Sequence, residues 1–179
     1  MNANQIKLFR ERLKNDPENL LQRRQFHEQY EWLEAYIDER YSNNHIERFS
    51  NEFGKFLWKF DEIKSVAHSF ALYPPIGSSS LGFEPTLTIK RATFHLLYFS
   101  GVLEEEFPEI NNDKEIGQKW MKNSFNALFV IVKQIRDNLF HGKKIEIEEE
   151  QYQRNKELIT LGVEFTTFVL EKLEDAENQ

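Results

Sequence analysis

A chain of 179 residues with 16 phenylalanines but only 7 glycines and 5 prolines can bury a sizeable core and is too poor in turn formers for a disordered, collagen-like or turn-dense β protein. It has no cysteine, which removes disulfides, thiolate zinc sites, thiol nucleophiles and iron–sulfur clusters. The net charge of −7 argues against a surface coated for long nucleic acid, yet Lys114 to Lys144 holds seven basic residues against Glu115 and Asp137, a net of +5 that leaves −12 elsewhere. That stripe suits a small anionic footprint; it is equally what a lysine-rich solvent face looks like.

The N-terminus, MNANQIKLFRERLK, alternates charged and apolar residues and lacks the apolar stretch of a secretory signal. The longest apolar run, Ala127 to Val132, is too short to span a bilayer, so the expectation is a cytoplasmic protein with no membrane partner. After a short opening helix, Asp16 is an N-cap with Pro17 at the first helical position. Phe26, Tyr30, Leu33, Ile37 and Tyr41 follow at helical spacing, up to a break at Ser42-Asn43-Asn44.

Beyond the break, Ile46, Phe49, Phe53, Phe56, Phe60, Ile63, Ala67 and Phe70 form one apolar stripe, which predicts a single long bundle helix. Tyr73 to Pro85 holds three of the five prolines together with Gly77 and Gly82, and reads as a loop. Leu87 to Leu103 is ambiguous between strand and helix; the reading here is a helix ending near Glu104 to Glu106. Asn112 with Glu115 has capping-box spacing, and Met121, Phe125, Leu128, Val132, Ile135 and Leu139 carry that helix to His141, where Gly142 stops it. The acidic run Ile145 to Glu150 loads the N-terminus of a last helix with Leu158, Leu161, Phe165 and Phe168 on its apolar face. No repeat or linker appears. The expected fold is all-α, an antiparallel bundle of four or more main helices in a single domain over 1–179, with an N-terminal helical extension (1–43), a core bundle (44–175) and a loop insertion (73–86).

Most enzyme signatures fail on chemistry. Gly77 and Gly82 have phosphate-loop spacing, but Phe83 stands where a lysine must reach the phosphates. No G-x-S-x-G elbow surrounds Ser78 to Ser80. His27, His45, His68, His95 and His141 lie far apart, none with a second histidine one turn away, so neither a metal nor a cofactor is expected. Glu104 to Glu106 and Glu148 to Glu150 read as solvated helix ends.

What remains is Arg136-Asp137-Asn138-Leu139-Phe140-His141-Gly142. Arg136 sits on the flank of the apolar stripe, and His141 ends the helix, where Gly142 lets it turn back toward the arginine. A titratable imidazole beside a permanent guanidinium suits phosphodiester chemistry. Taken alone, the pair is also what a snorkelling arginine and a helix-capping histidine look like.

IRDNLFHGKK resembles the R-x4-6-H signature of the HEPN superfamily, small helical bundles of prokaryotic toxins, defence systems and RNA-processing nucleases. The similarity extends over about Ile46 to Leu173 in the order of parts: a long early helix, the motif at the end of a later one, then a terminal helix. Asp137 stands where the family often has Asn, and the Tyr73 to Pro85 loop has no counterpart.

The resemblance implies a metal-independent endoribonuclease that attacks through the RNA's own 2′-hydroxyl. His141 would be the general acid or base, Arg136 the group holding the scissile phosphate, Asp137 and Asn138 supporting hydrogen-bonders, and Lys133, Lys143 and Lys144 contacts to flanking phosphates. It also implies a homodimer with a composite site at the interface, and allows an antitoxin or another protein partner. The alternative is a catalytically inactive HEPN-like dimer that binds a nucleotide or a protein. Both motif residues favour the enzyme; the overall acidity and Asp137 favour the binder.

Overall fold

A computed structural model describes residues 3–41, 45–72, 92, 93, 95, 96, 123–140, 146 and 148–178. All regular structure among them is helical: α1 (Ala3–Asn15), α2 (Pro17–Arg40), α3 (His45–Glu52), α4 (Gly54–Leu57), α5 (Asp61–Leu72), α6 (Ser124–Phe140) and α7 (Glu149–Glu177). Ala92, Thr93, His95 and Leu96 are helical as well. The fold is an all-α helical bundle, and no helix among the described residues is long and apolar enough to cross a membrane. Contacts group the chain into two compact units, Met1–Ala35 with Ile135–Gln179, and Tyr36–Gln134. The loop insertion at 73–86 and the acidic run Glu104 to Glu106 lie outside the described residues.

In the first unit, α2 starts where its cap chemistry dictates. Asp16 Oδ1 accepts the backbone N–H of Asn19 at 3.1 Å, satisfying a donor that has no partner within the helix. The stripe then buries as its spacing predicts, with Phe26, Tyr30 and Leu33 almost wholly enclosed. Leu158, Phe165 and Phe168 of α7 are buried likewise, and Glu148 to Glu150 are exposed.

The polar contacts between α2 and α7 fix their direction. Asp16 accepts from Tyr152 and Lys156, each at 3.1 Å, Thr160 donates to Gln22 at 2.9 Å, and Thr166 donates to Gln29 at 2.8 Å. Residue numbers rise together along both helices, so this pair is parallel and departs from the antiparallel arrangement expected of neighbours. Periodicity says which face of a helix is buried but nothing about the direction of the helix covering it. Between these contacts Gly162 lets the Phe26 ring approach so closely that a Cβ there would sit 2.7 Å from ring carbons.

Charge is also built into this interior. Arg23 donates to the Glu146 carboxylate at 2.6 Å, with side-chain exposures of 9% and 1%. Arg12 tethers α1 to the same place, donating to the Glu146 carbonyl at 3.3 Å and to Glu149 at 2.8 Å. Nothing in the acidic run marked Glu146 as its one buried carboxylate; its exposed neighbours look the same in sequence.

The second unit corrects two expectations. The continuous helix predicted from Ile46 to Phe70 is three helices, interrupted at Phe53 and again between Trp58 and Phe60. The N–H groups of Lys59 and Phe60 reach back three residues, to Phe56 and Leu57, rather than four. At the first interruption the Phe56 N–H likewise reaches back three residues, to Phe53, and the buried face shifts by one position within the short α4 before Ile63, Ala67 and Phe70 return to the predicted stripe. Leu57 is buried and Phe56 is 43% exposed, the reverse of the stripe's prediction. Glycine weakens the helix at this point, and at Gly54 it is needed for contact: a Cβ would lie 3.0 Å from the Cβ of Phe125.

The second correction concerns the start of α6. Its cap is Asn123, whose Oδ1 accepts the Asn126 N–H at 3.1 Å and whose amide donates to the Ser50 carbonyl at 2.7 Å. The helix proposed from Asn112 therefore does not run continuously into α6; residues 112 to 122 lie outside the described residues. Around this cap the unit is packed with rings, Phe49 lying 5.5 to 6.5 Å from Tyr41, Phe53, Phe125 and Phe129. Tyr41 donates to Glu52 at 2.8 Å, and burial together with this carboxylate pushes the phenol up to about 12.

Candidate functional site

The apolar face of α6 decides where Arg136 goes. Phe125, Leu128, Val132 and Ile135 are buried, and Arg136, one residue past the last of them, leaves the core at its edge with 14% of its side chain exposed. Its guanidinium lies over the ring of Tyr30, 5.2 Å from the centroid. Such a stack is worth about 0.5 to 2 kcal/mol, depending on how far water is excluded.

Three carboxylates surround it. Nη1 donates to Asp137 Oδ1 at 3.1 Å. Nη2 faces Glu34 at 3.8 Å and Glu31 at 4.0 Å, ion-pair distances too long for hydrogen bonds. Nε is buried and has no hydrogen-bond partner among the described residues. Glu31 is shared, since the same oxygen lies 3.2 Å from Nε2 of His27 one turn earlier on α2. His27, Tyr30, Glu31 and Glu34 recur at helical spacing, so one side of α2 supplies the ring and both longer-range carboxylates.

Of the residues singled out in the sequence, Arg136 and Asp137 are in direct contact. Asn138 and Lys133 are half-buried on the same helix. His141, Lys143 and Lys144 lie outside the described residues, as does Gly142. Sequence reading missed Tyr30, Glu31 and Glu34. Tyr30 was legible only as a core residue, and the two glutamates only as part of a charged face; no local pattern links α2 to a segment a hundred positions later. Among the described residues, no three His, Asp or Glu side chains converge as metal ligands.

Chemically, the arrangement is a guanidinium held by a ring and an adjacent carboxylate, with Nε and Nη2 making no hydrogen bond among the described residues. Arginine's planar fork matches phosphate oxygens, and partial burial strengthens such contacts. The chain matches no family model, no curated protein and no solved structure.

Proposed function

We propose that the protein is a metal-independent endoribonuclease, acting as a toxin, defence or RNA-processing protein. The observation that carries this reading is Arg136: fixed over Tyr30, largely buried, yet with Nε and Nη2 making no hydrogen bond among the described residues. The HEPN-like string from Arg136 to His141 supports it by putting an imidazole five residues along the same chain.

In the proposed reaction, His141 takes the proton of the RNA 2′-hydroxyl as that oxygen attacks phosphorus. The bond to the 5′-oxygen breaks, this oxygen is protonated as it leaves, and a 2′,3′-cyclic phosphate remains. General acid–base help of this kind contributes roughly 10² to 10⁴-fold. Arg136 holds the non-bridging oxygens as charge grows on them, an effect of order 10² to 10³-fold. One histidine does not serve readily as base and acid in a single step, so the proposal includes a two-fold homodimer in which His141 of the partner subunit supplies the second role. Lys133, Lys143 and Lys144 contact flanking phosphates, and Asn138 assists at the helix end.

The test is incubation of the purified protein with RNA and with DNA of the same sequence in excess EDTA, followed by analysis of the cleaved ends. The expected result is cyclic-phosphate ends from RNA and intact DNA, with Arg136→Ala and His141→Ala each losing most cleavage. Cleavage of DNA, or undiminished cleavage by both variants, overturns the reading. One observation favours a non-cleaving, nucleotide- or protein-binding module instead: three carboxylates lie within 4.0 Å of the Arg136 guanidinium. Tight RNA or nucleotide binding without cleavage would select that reading.

A further inference from the structure

We propose that Glu31 and Glu34 compete with the substrate phosphate for Arg136, so that they set which anions the site accepts; this rests on the ribonuclease reading above. One positive charge faces three negative ones: Asp137 at 3.1 Å, Glu34 at 3.8 Å and Glu31 at 4.0 Å. The three do not play the same part. Asp137 is hydrogen-bonded to Nη1 from the adjacent position on α6 and orients the group. Glu31 and Glu34 come from another helix, keep side-chain exposures of 54% and 41%, and approach Nη2 without hydrogen bonding to it.

Ion pairs of this length, with half-exposed carboxylates and no hydrogen bond, are weaker than short hydrogen-bonded ones and exchange more readily. A phosphate able to make the short, forked contacts that the glutamates do not make can therefore displace them. An isolated small anion has little to set against the repulsion of three carboxylates. A strand with several phosphates can offset it through contacts elsewhere, so the pair selects a polyanionic strand over a lone anion. Glu31 has a place to go when displaced, because His27 already holds it at 3.2 Å.

The experiment measures binding of a fluorescently labelled 2′-O-methyl RNA oligonucleotide, which lacks the attacking hydroxyl, by anisotropy at low salt, alongside cleavage of the unmodified strand. The Glu31→Gln/Glu34→Gln protein should bind about two- to tenfold more tightly than wild type. The gain should disappear when Arg136→Ala is added. Glu28→Gln/Glu39→Gln, which removes two exposed charges from α2 that form no ion pair with Arg136, should give a clearly smaller gain. Unchanged or weaker binding by the Glu31/Glu34 variant, or an equal gain in the control, overturns the competition and leaves the ribonuclease reading standing wherever wild type still cleaves. If wild type neither binds nor cuts RNA, the ribonuclease reading falls and takes the competition with it.

Discussion

Around Phe49 the interior is made of rings; between α2 and α7 it is made of rings, amides, hydroxyls and a buried ion pair. Phe49 meets its aromatic neighbours at 5.5 to 6.5 Å and has no polar group of its own to satisfy; among those neighbours Tyr41 alone carries one, which it gives to Glu52. Arg23 and Glu146, by contrast, are each enclosed and depend on one another at 2.6 Å. Ring packing is non-directional and tolerates a neighbour of similar volume, whereas a buried ion pair tolerates loss of neither partner alone. The polar interior is also the one that fixes direction, through the rising order of its α2–α7 contacts, and Arg136 belongs to the same unit.

The largest effects should come from breaking each interior at its centre. Phe49→Ala should cost about 3 to 5 kcal/mol through the cavity it leaves. Glu146→Ala should cost a similar ~3 to 5 kcal/mol, because it strands the Arg23 guanidinium away from water. The contrast lies in the repair. Replacing the pair together, with Arg23→Met and Glu146→Leu, should restore most of the loss in urea denaturation, since a well-packed apolar pair removes the desolvation cost that the ions carry. A double variant as unstable as Glu146→Ala would show that the pair contributes more than mutual neutralisation.

Next in size is Gly162→Ala. The added carbon would meet the buried Phe26 ring at 2.7 Å, and displacing that ring should cost about 1 to 3 kcal/mol, against the small gain alanine normally brings to a helix. A stabilised variant would mean that α2 and α7 can separate at little cost, and that the polar ladder does not hold them closely.

Asp16→Ala should cost about 1 kcal/mol, as loss of a helix cap usually does, and the cost should depend on pH. Desolvation raises the Asp16 carboxyl, but the Asn19 N–H, Lys156 and Tyr152 outweigh it and hold it below the usual carboxylate range. A lowered carboxylate contributes stability above its unfolded value of about 4 and loses it as pH falls through the folded one. Lys156 is raised, chiefly by its hydrogen bond to Asp16, so its share is lost only as pH rises beyond about 10.4. Thermal unfolding from pH 3 to pH 7 should therefore show wild type and Asp16→Ala converging at the acid end. The smallest effect belongs to Phe56→Leu, expected within about 0.5 kcal/mol, because Phe56 is 43% exposed, Leu57 is the buried neighbour and leucine keeps apolar cover beside Phe60.

Local sequence determined much of this protein by itself. A cap residue followed by proline fixed the start of α2, and apolar spacing identified the buried faces of α2, α6 and α7, because a helix repeats every few residues and needs no distant information to do so. The Arg136 to His141 string was visible for the same reason, as were the glutamates that stay exposed at the start of α7. Tertiary structure alone decided the rest. The interruption at Phe53 exchanged Phe56 for Leu57 within α4, and the one between Trp58 and Phe60 returned the buried face to Ile63, Ala67 and Phe70, since a small change in winding moves the face that follows it. Asn123 starts α6 while anchored to the Ser50 carbonyl, a partner no local pattern indicates. Glu146 is buried among look-alike neighbours because Arg23 waits for it, and α2 runs parallel to α7 because side chains met in that order. Arg136 was legible as a residue, but its surroundings of one ring and two borrowed carboxylates were not, because charge and aromatic partners act through space and leave no period in the chain.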